Sequence, residues 1–158
     1  MSGPDPSGWT DHVVVIGDSR VARALAAQET RAGRLVYAGS SPLPGPPDPT
    51  SPEAAFVPAQ PDPVALLRAT GAPGARLVVI DAADDAATLA LLAALLDAAP
   101  AEHRPSVIAN LRDPATRRRV DDNLFAAGIT PRPRLVATAG LAAAGAIEAA
   151  RPYDLAAW

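Results

Sequence analysis

A chain of 158 residues is long enough for one domain with a full core; 49% of it is apolar but only 4% aromatic, so alanine, valine and leucine must fill that core. A formal charge of −3 without a long basic run argues against nucleic acid as the main partner. The lack of cysteine excludes disulfides, thiolate zinc sites and a cysteine nucleophile, two histidines are too few for a histidine-rich metal site, and no apolar run approaches membrane-spanning length.

These exclusions, with no signal-peptide pattern at the start, leave a single-domain cytoplasmic protein without direct membrane insertion as the expectation. Residues 1–11 read as a flexible lead-in, because Pro4, Pro6 and two glycines disfavour regular structure. His12-Val13-Val14-Val15-Ile16 then presents four branched apolar residues in a row, which suits a strand buried on both faces of a parallel sheet. Gly17 ends it at a tight turn. A helix follows from Ser19 to Ala32, with Gly33 placed for a left-handed cap. Leu35 to Ala38 reads as a second strand, ending at Gly39-Ser40-Ser41.

Nine of the chain's 18 prolines then crowd into 42–63, so 42–55 is expected to be an extended surface loop, with a short strand at 56–58 at most. Asp62-Pro63 is a carboxylate cap followed by proline at the first helical position, and it predicts a helix to Thr70, stopped by Gly71. Leu77 to Ile80 is the next buried strand. A long Ala/Leu helix over 85–98 should turn Leu89, Leu92 and Leu96 toward the sheet. Ser106 to Asn110 is another strand, Asp113-Pro114 opens a helix to about Ala127 ended by Gly128, Leu135 to Ala137 is a last strand, and 139–150 a last helix. Strands alternating with helices predict a doubly wound, Rossmann-like parallel sheet. Residues 151–158 form a C-terminal tail.

Several of these segments together resemble the nucleotide-binding domain of the regulator-of-potassium-conductance family (RCK, or KTN). Its opening Gly-x-Gly-Arg-x-Gly turn is matched by Gly17-Asp18-Ser19-Arg20-Val21-Ala22. Its fourth strand and following acidic stretch are matched by Val78-Val79-Ile80-Asp81-Ala82-Ala83-Asp84-Asp85, and its fifth strand by Val107-Ile108-Ala109-Asn110-Leu111-Arg112-Asp113-Pro114. The helix opened by Asp62-Pro63 is similar to the one after the family's third strand. The order and spacing hold over about 12–140. This resemblance implies a domain over 12–150 that binds NAD or another adenine nucleotide, forms homodimers, and controls a potassium channel or transporter subunit without catalysing a reaction.

The departures are as specific as the matches. Ser19 replaces the second glycine, and its Cβ narrows the approach of a pyrophosphate to the backbone. Ala22 replaces the third, and Asp18 sets a negative charge beside any phosphate. The acid expected after the second strand is absent, and Pro58-Ala59 stands where the family carries Gly-Asp.

The candidate site therefore comprises Gly17, Asp18, Ser19, Arg20 and Val21 around the phosphates, Ser40 and Ser41 near a ribose, and Asp81, Ala82 and Arg112 at the neighbouring strand ends. Each has a plainer reading. Gly17 merely permits the turn, Arg20 is solvated, Ser40 and Ser41 begin a loop. Asp81, Asp84 and Asp85 either hold a cation or cap the next helix, and Arg112 either faces the crevice or pairs with Asp113 or Asp81. Arg117-Arg118-Arg119 is either a solvated helix face or a surface for an acidic partner. Two further functions stand beside the regulatory one: a protein-interaction scaffold with a decayed nucleotide site, and a small NAD(P)-dependent oxidoreductase. Gly17-Asp18-Ser19 also resembles the nucleophile block of lipase-like hydrolases, but no histidine follows His103 to complete it.

Overall fold

The computed structural model describes residues 5–29, 34–43 and 54–137. Strands β1 (Val13–Ile16), β2 (Leu35–Gly39), β3 (Ala54–Pro58), β4 (Leu77–Ile80), β5 (Ser106–Asn110) and β6 (Arg134–Val136) form one sheet. Its order is β3-β2-β1-β4-β5-β6, and every pairing is parallel. The helices are α1 (Arg20–Glu29), α2 (Pro63–Thr70), α3 (Asp85–Ala98) and α4 (Pro114–Ala126). This is the Rossmann-like α/β architecture, with β1 and β4 at its centre.

The unbroken branched runs fold as strands because both sides of this sheet are buried. Val14, Ile16, Val78 and Ile80 pack into one core with Leu66 and Leu67 of α2 and Leu91, Leu92 and Leu95 of α3. Val13, Val15, Leu77 and Val79 point the other way, into a core with Ala22, Leu25 and Ala26 of α1. The alternation is the two-residue period of a strand, applied to residues that are apolar at every position.

Both Asp-Pro devices work as read. Asp62 accepts from the Val64 N–H at 3.0 Å and Asp113 from the Thr116 N–H at 3.2 Å. Gly71 closes α2 in the left-handed region, at φ 65°, with its N–H turned back to the last carbonyls of the helix. Other expectations shift. β3 begins at Ala54, inside the stretch expected as loop, because main-chain pairing with β2 extends it beyond the Phe56-Val57 pair. In α3 the buried face is Thr88, Leu91, Leu92 and Leu95 rather than Leu89 and Leu96, which stay half-buried. Helix residues 30–32, the Gly33 cap, the helix at 139–150 and the tail lie outside the described residues.

At the amino edge of the sheet His12 is 1% exposed. Its Nε2 lies 2.9 Å from the Thr70 carbonyl, so that nitrogen carries the proton, and Trp9 meets the ring edge-on. Burial holds the imidazole below its ordinary pKa. The unfolded chain therefore binds a proton here that the folded chain resists, and stability falls as pH drops below the unfolded value of about 6.5. Urea midpoints measured from pH 8 to 5 should decline in this range, and His12→Gln should flatten the decline. An unchanged slope in the variant would refute the assignment.

Candidate functional site

The register brings two glycines, a carboxylate and an amide into one row. Ile16 pairs with Ala38 on one side and Ile80 on the other, and Ile80 pairs with Ala109. The next residues along are Gly17, Gly39, Asp81 and Asn110, at the carboxyl edge of the sheet. Open parallel sheets bind ligands at this edge, where the winding changes direction. A crevice of about 480 Å³ opens there. Pro61, Leu66, Ala90 and Leu91 give it an apolar wall, and Asp18, Ser19, Asp81 and Arg112 give it polar groups.

Gly17 sits at φ 143°, and an added Cβ would overlap the Asp81 backbone carbonyl. The β1–β4 contact is thus as close as two backbones allow. Two residues on, the Ser19 hydroxyl accepts from the Ala22 N–H at 3.0 Å and caps α1. The same hydroxyl donates to the Asp81 carboxylate. Asn110 Nδ2 donates to the other Asp81 oxygen at 2.7 Å, and Arg112 Nη2 stands 3.7 Å from it. Asp81 is 2% exposed, so hydrogen bonds and a guanidinium replace the water it has lost.

Asp18 faces β2. Its Oδ1 accepts from the Ser40 N–H at 2.8 Å and the Ser40 hydroxyl at 2.9 Å. These bonds, the backbone one foremost, hold its carboxyl below the usual range. Tyr37 passes beneath and donates to the Gly17 carbonyl at 2.6 Å; burial raises its phenol pKa. Arg23 donates to the Tyr37 hydroxyl at 3.1 Å and to the Pro42 carbonyl at 2.9 Å, tying α1 to the segment after β2.

The three aspartates after β4 divide their work. Asp84 caps α3 through the Ala87 N–H at 2.8 Å. Asp85 accepts the backbone N–H groups of Arg112 and Asp113 at 2.8 and 3.0 Å, and these two bonds, that of Arg112 first, lower its pKa. Arg112 in turn donates to the Ala82 and Ala83 carbonyls at 3.2 and 3.3 Å. Among the described residues, no three acidic or histidine side chains are grouped to hold a metal ion.

Of the residues singled out in the sequence, Gly17, Asp18, Ser19, Asp81, Ala82 and Arg112 line the crevice. Arg20 and Val21 do not; they border a separate shallow depression on α1. Ser40 reaches the site only through Asp18, and Ser41 offers its carbonyl to Arg23 at 3.3 Å. Tyr37, Arg23, Asn110 and the wall from Pro61 to Leu66 were not foreseen. The position of Asn110 at the carboxyl end of a predicted buried strand was the available signal for it. Ser19 has a carboxylate but no histidine within this network: His12 sits at the opposite edge of the sheet, and His103 is exposed beyond α3.

Several solved structures with a similar fold belong to the channel protein GsuK. A GsuK structure bound to ADP is 16% identical, with a TM-score of 0.58 over 87% of this chain and 34% of that one. The GsuK RCK domain is 16% identical at TM-score 0.58, over 85% of this chain and 27% of that one. The GsuK channel bound to NAD is 17% identical at TM-score 0.57, over 86% and 23%. The chain thus spans about a third or less of the length of these relatives. No protein-family model matches the sequence, and no curated protein matches it. The likeness is one of fold: the chain has an RCK-like Rossmann fold. Among the described residues no helix is long and apolar enough to cross a membrane.

Proposed function

We propose that this chain is a non-catalytic regulatory domain that holds NAD or another adenine nucleotide in the crevice. In this reading 12–150 is one domain, acting as a cytoplasmic homodimer, and ligand binding is passed to a potassium channel or transporter subunit. In the same reading the tail at 151–158 provides a subunit contact. The observation that carries the reading is the crevice of about 480 Å³ at the central strand ends, apolar on one wall and polar on the other. Its apolar wall suits an adenine ring and its carboxylates suit ribose hydroxyls. The Arg112 guanidinium, which lines the crevice, is the donor for phosphate. The neighbouring structures bound to ADP and NAD support this class of ligand.

The scaffold reading has one observation in its favour: Ser19, Asn110 and Arg112 already satisfy Asp81, and Ser19 already caps α1. Melting temperatures separate the two. A ligand held only by the folded state at about 100 times its Kd adds about 2.7 kcal/mol, a rise of several degrees for a chain of this size. NAD, NADH, NADP, AMP, ADP and ATP should be compared at millimolar concentration. A rise with at least one is expected, and no rise with any favours the scaffold.

A further inference from the structure

A second concavity lies at the far edge of the sheet, between α4 and the β6 segment. It encloses about 620 Å³ and shares no lining residue with the crevice. Among the described residues, Arg117 and Arg118 of α4 and Arg132 and Arg134 on the β6 side line it, and Asp121 is the acidic residue beside them. Four guanidinium groups against one carboxylate is a local excess of positive charge in a chain whose overall charge is −3. Like charges gathered in one groove repel, and an anion of several charges relieves that repulsion.

The groove is partly preorganised. Arg117 donates to the Leu111 carbonyl at 2.7 Å, which fixes its direction from α4. Arg132 lies 5.6 Å above the Phe125 ring centroid and 3.6 Å from Asp121. Both partners of that ion pair are nearly half exposed, so it is weak and readily exchanged for a better acceptor. Pro114 and Pro133 stiffen the two walls. A guanidinium presents parallel N–H groups that match phosphate oxygens two at a time. A single phosphate does not balance the charge of the lining residues, whereas a short phosphate chain does.

We propose that the α4–β6 groove is a binding site for an oligophosphate, free or carried by a nucleoside, held by Arg117, Arg118, Arg132 and Arg134. It is independent of the crevice and of whatever binds there.

Titration calorimetry of the full chain with inorganic tripolyphosphate at low ionic strength tests this. One saturable site is expected, weakening as salt is added. Arg118→Ala with Arg132→Ala should raise Kd by at least about tenfold, since each removes a charge-assisted hydrogen bond. The corresponding double lysine variant keeps the charge but loses the fork, and should fall between. ATP binding no tighter than tripolyphosphate assigns a free oligophosphate. Tighter ATP whose surplus the double alanine variant removes assigns a nucleotide tail. The proposal fails if that variant binds tripolyphosphate as the wild type does, if sulfate at equal ionic strength competes as well, or if an acidic peptide binds the groove and tripolyphosphate does not.

Discussion

Gly17→Ala is expected to cost about 3–5 kcal/mol and to leave little folded protein at physiological temperature. Two penalties combine. The backbone at φ 143° is a conformation that residues with a Cβ rarely adopt, and the added methyl would overlap the carbonyl of Asp81. Neither can be relieved by moving a flexible side chain, because the obstacle is backbone in the adjacent central strand. Asp81 donates its N–H to the Ile16 carbonyl at 2.8 Å, so the two chains are pinned together just where room is needed. Relief would require prising β1 from β4, which carry the buried residues of both cores. Urea denaturation followed by circular dichroism gives the comparison. A midpoint within error of the wild type would show that the turn is looser than described, and with it the crevice.

That turn was legible in the sequence, and so was most of what surrounds it. Val13 to Ile16 and Leu77 to Ile80 are apolar at every position, which only a sheet covered on both sides explains, and the Asp62-Pro63 and Asp113-Pro114 pairs announce helix starts through their own chemistry. The face of α3 was not legible. Its leucines at 89, 91, 92, 95 and 96 spread over nearly half of the helix circumference, so the spacings 89/92/96 and 91/92/95 are both helical, and tertiary contact chose Leu91, Leu92 and Leu95 with Thr88. Thr88 is buried because its hydroxyl accepts from the Ala82 N–H at 3.3 Å, a bond that no periodicity signals. The start of β3 was hidden for a related reason: Ala54 and Ala55 are poor strand formers, and β2 supplies their pairing.

The candidate site divides the same way. Residues adjacent in sequence to the strand ends were identifiable, since a parallel sheet always brings those ends together. Which groups they meet depends on register and on side-chain reach. Ile80 opposite Ala109 sets Asp81 beside Asn110, and a one-residue slip would set it elsewhere. Arg20 looked like the cation for the crevice because it stands in the motif, yet it begins α1 on the outside. Arg112, brought in from the end of β5, is the cation that lines the crevice.

Asp81 is where this convergence is most exposed to test. Asp81→Ala should lower stability by about 3 kcal/mol, which for a chain of this length is a fall in melting temperature of about 6–12 °C. The loss comes from the partners more than from the carboxylate. The Ser19 hydroxyl and the Asn110 amide lose their shared acceptor, in a place water reaches poorly, while Arg112, being exposed, turns to solvent. Asp81→Asn should cost less, about 1 kcal/mol, because the amide oxygen still accepts from Asn110 and the amide N–H can donate to the Ser19 oxygen, so that only the charge and the acceptor for the Ser19 O–H are given up. The ratio of the two losses is the informative quantity. Near-equal losses would mean that the charge facing Arg112 dominates, and two negligible ones would mean that the network contributes nothing to the fold. Asn110→Ala combined with Asp81→Ala should cost less than the sum of the single changes, since both remove the 2.7 Å bond between them. Additive losses would mean that this bond contributes no coupling energy and that the side chain of Asp81 acts through Ser19 and Arg112 instead.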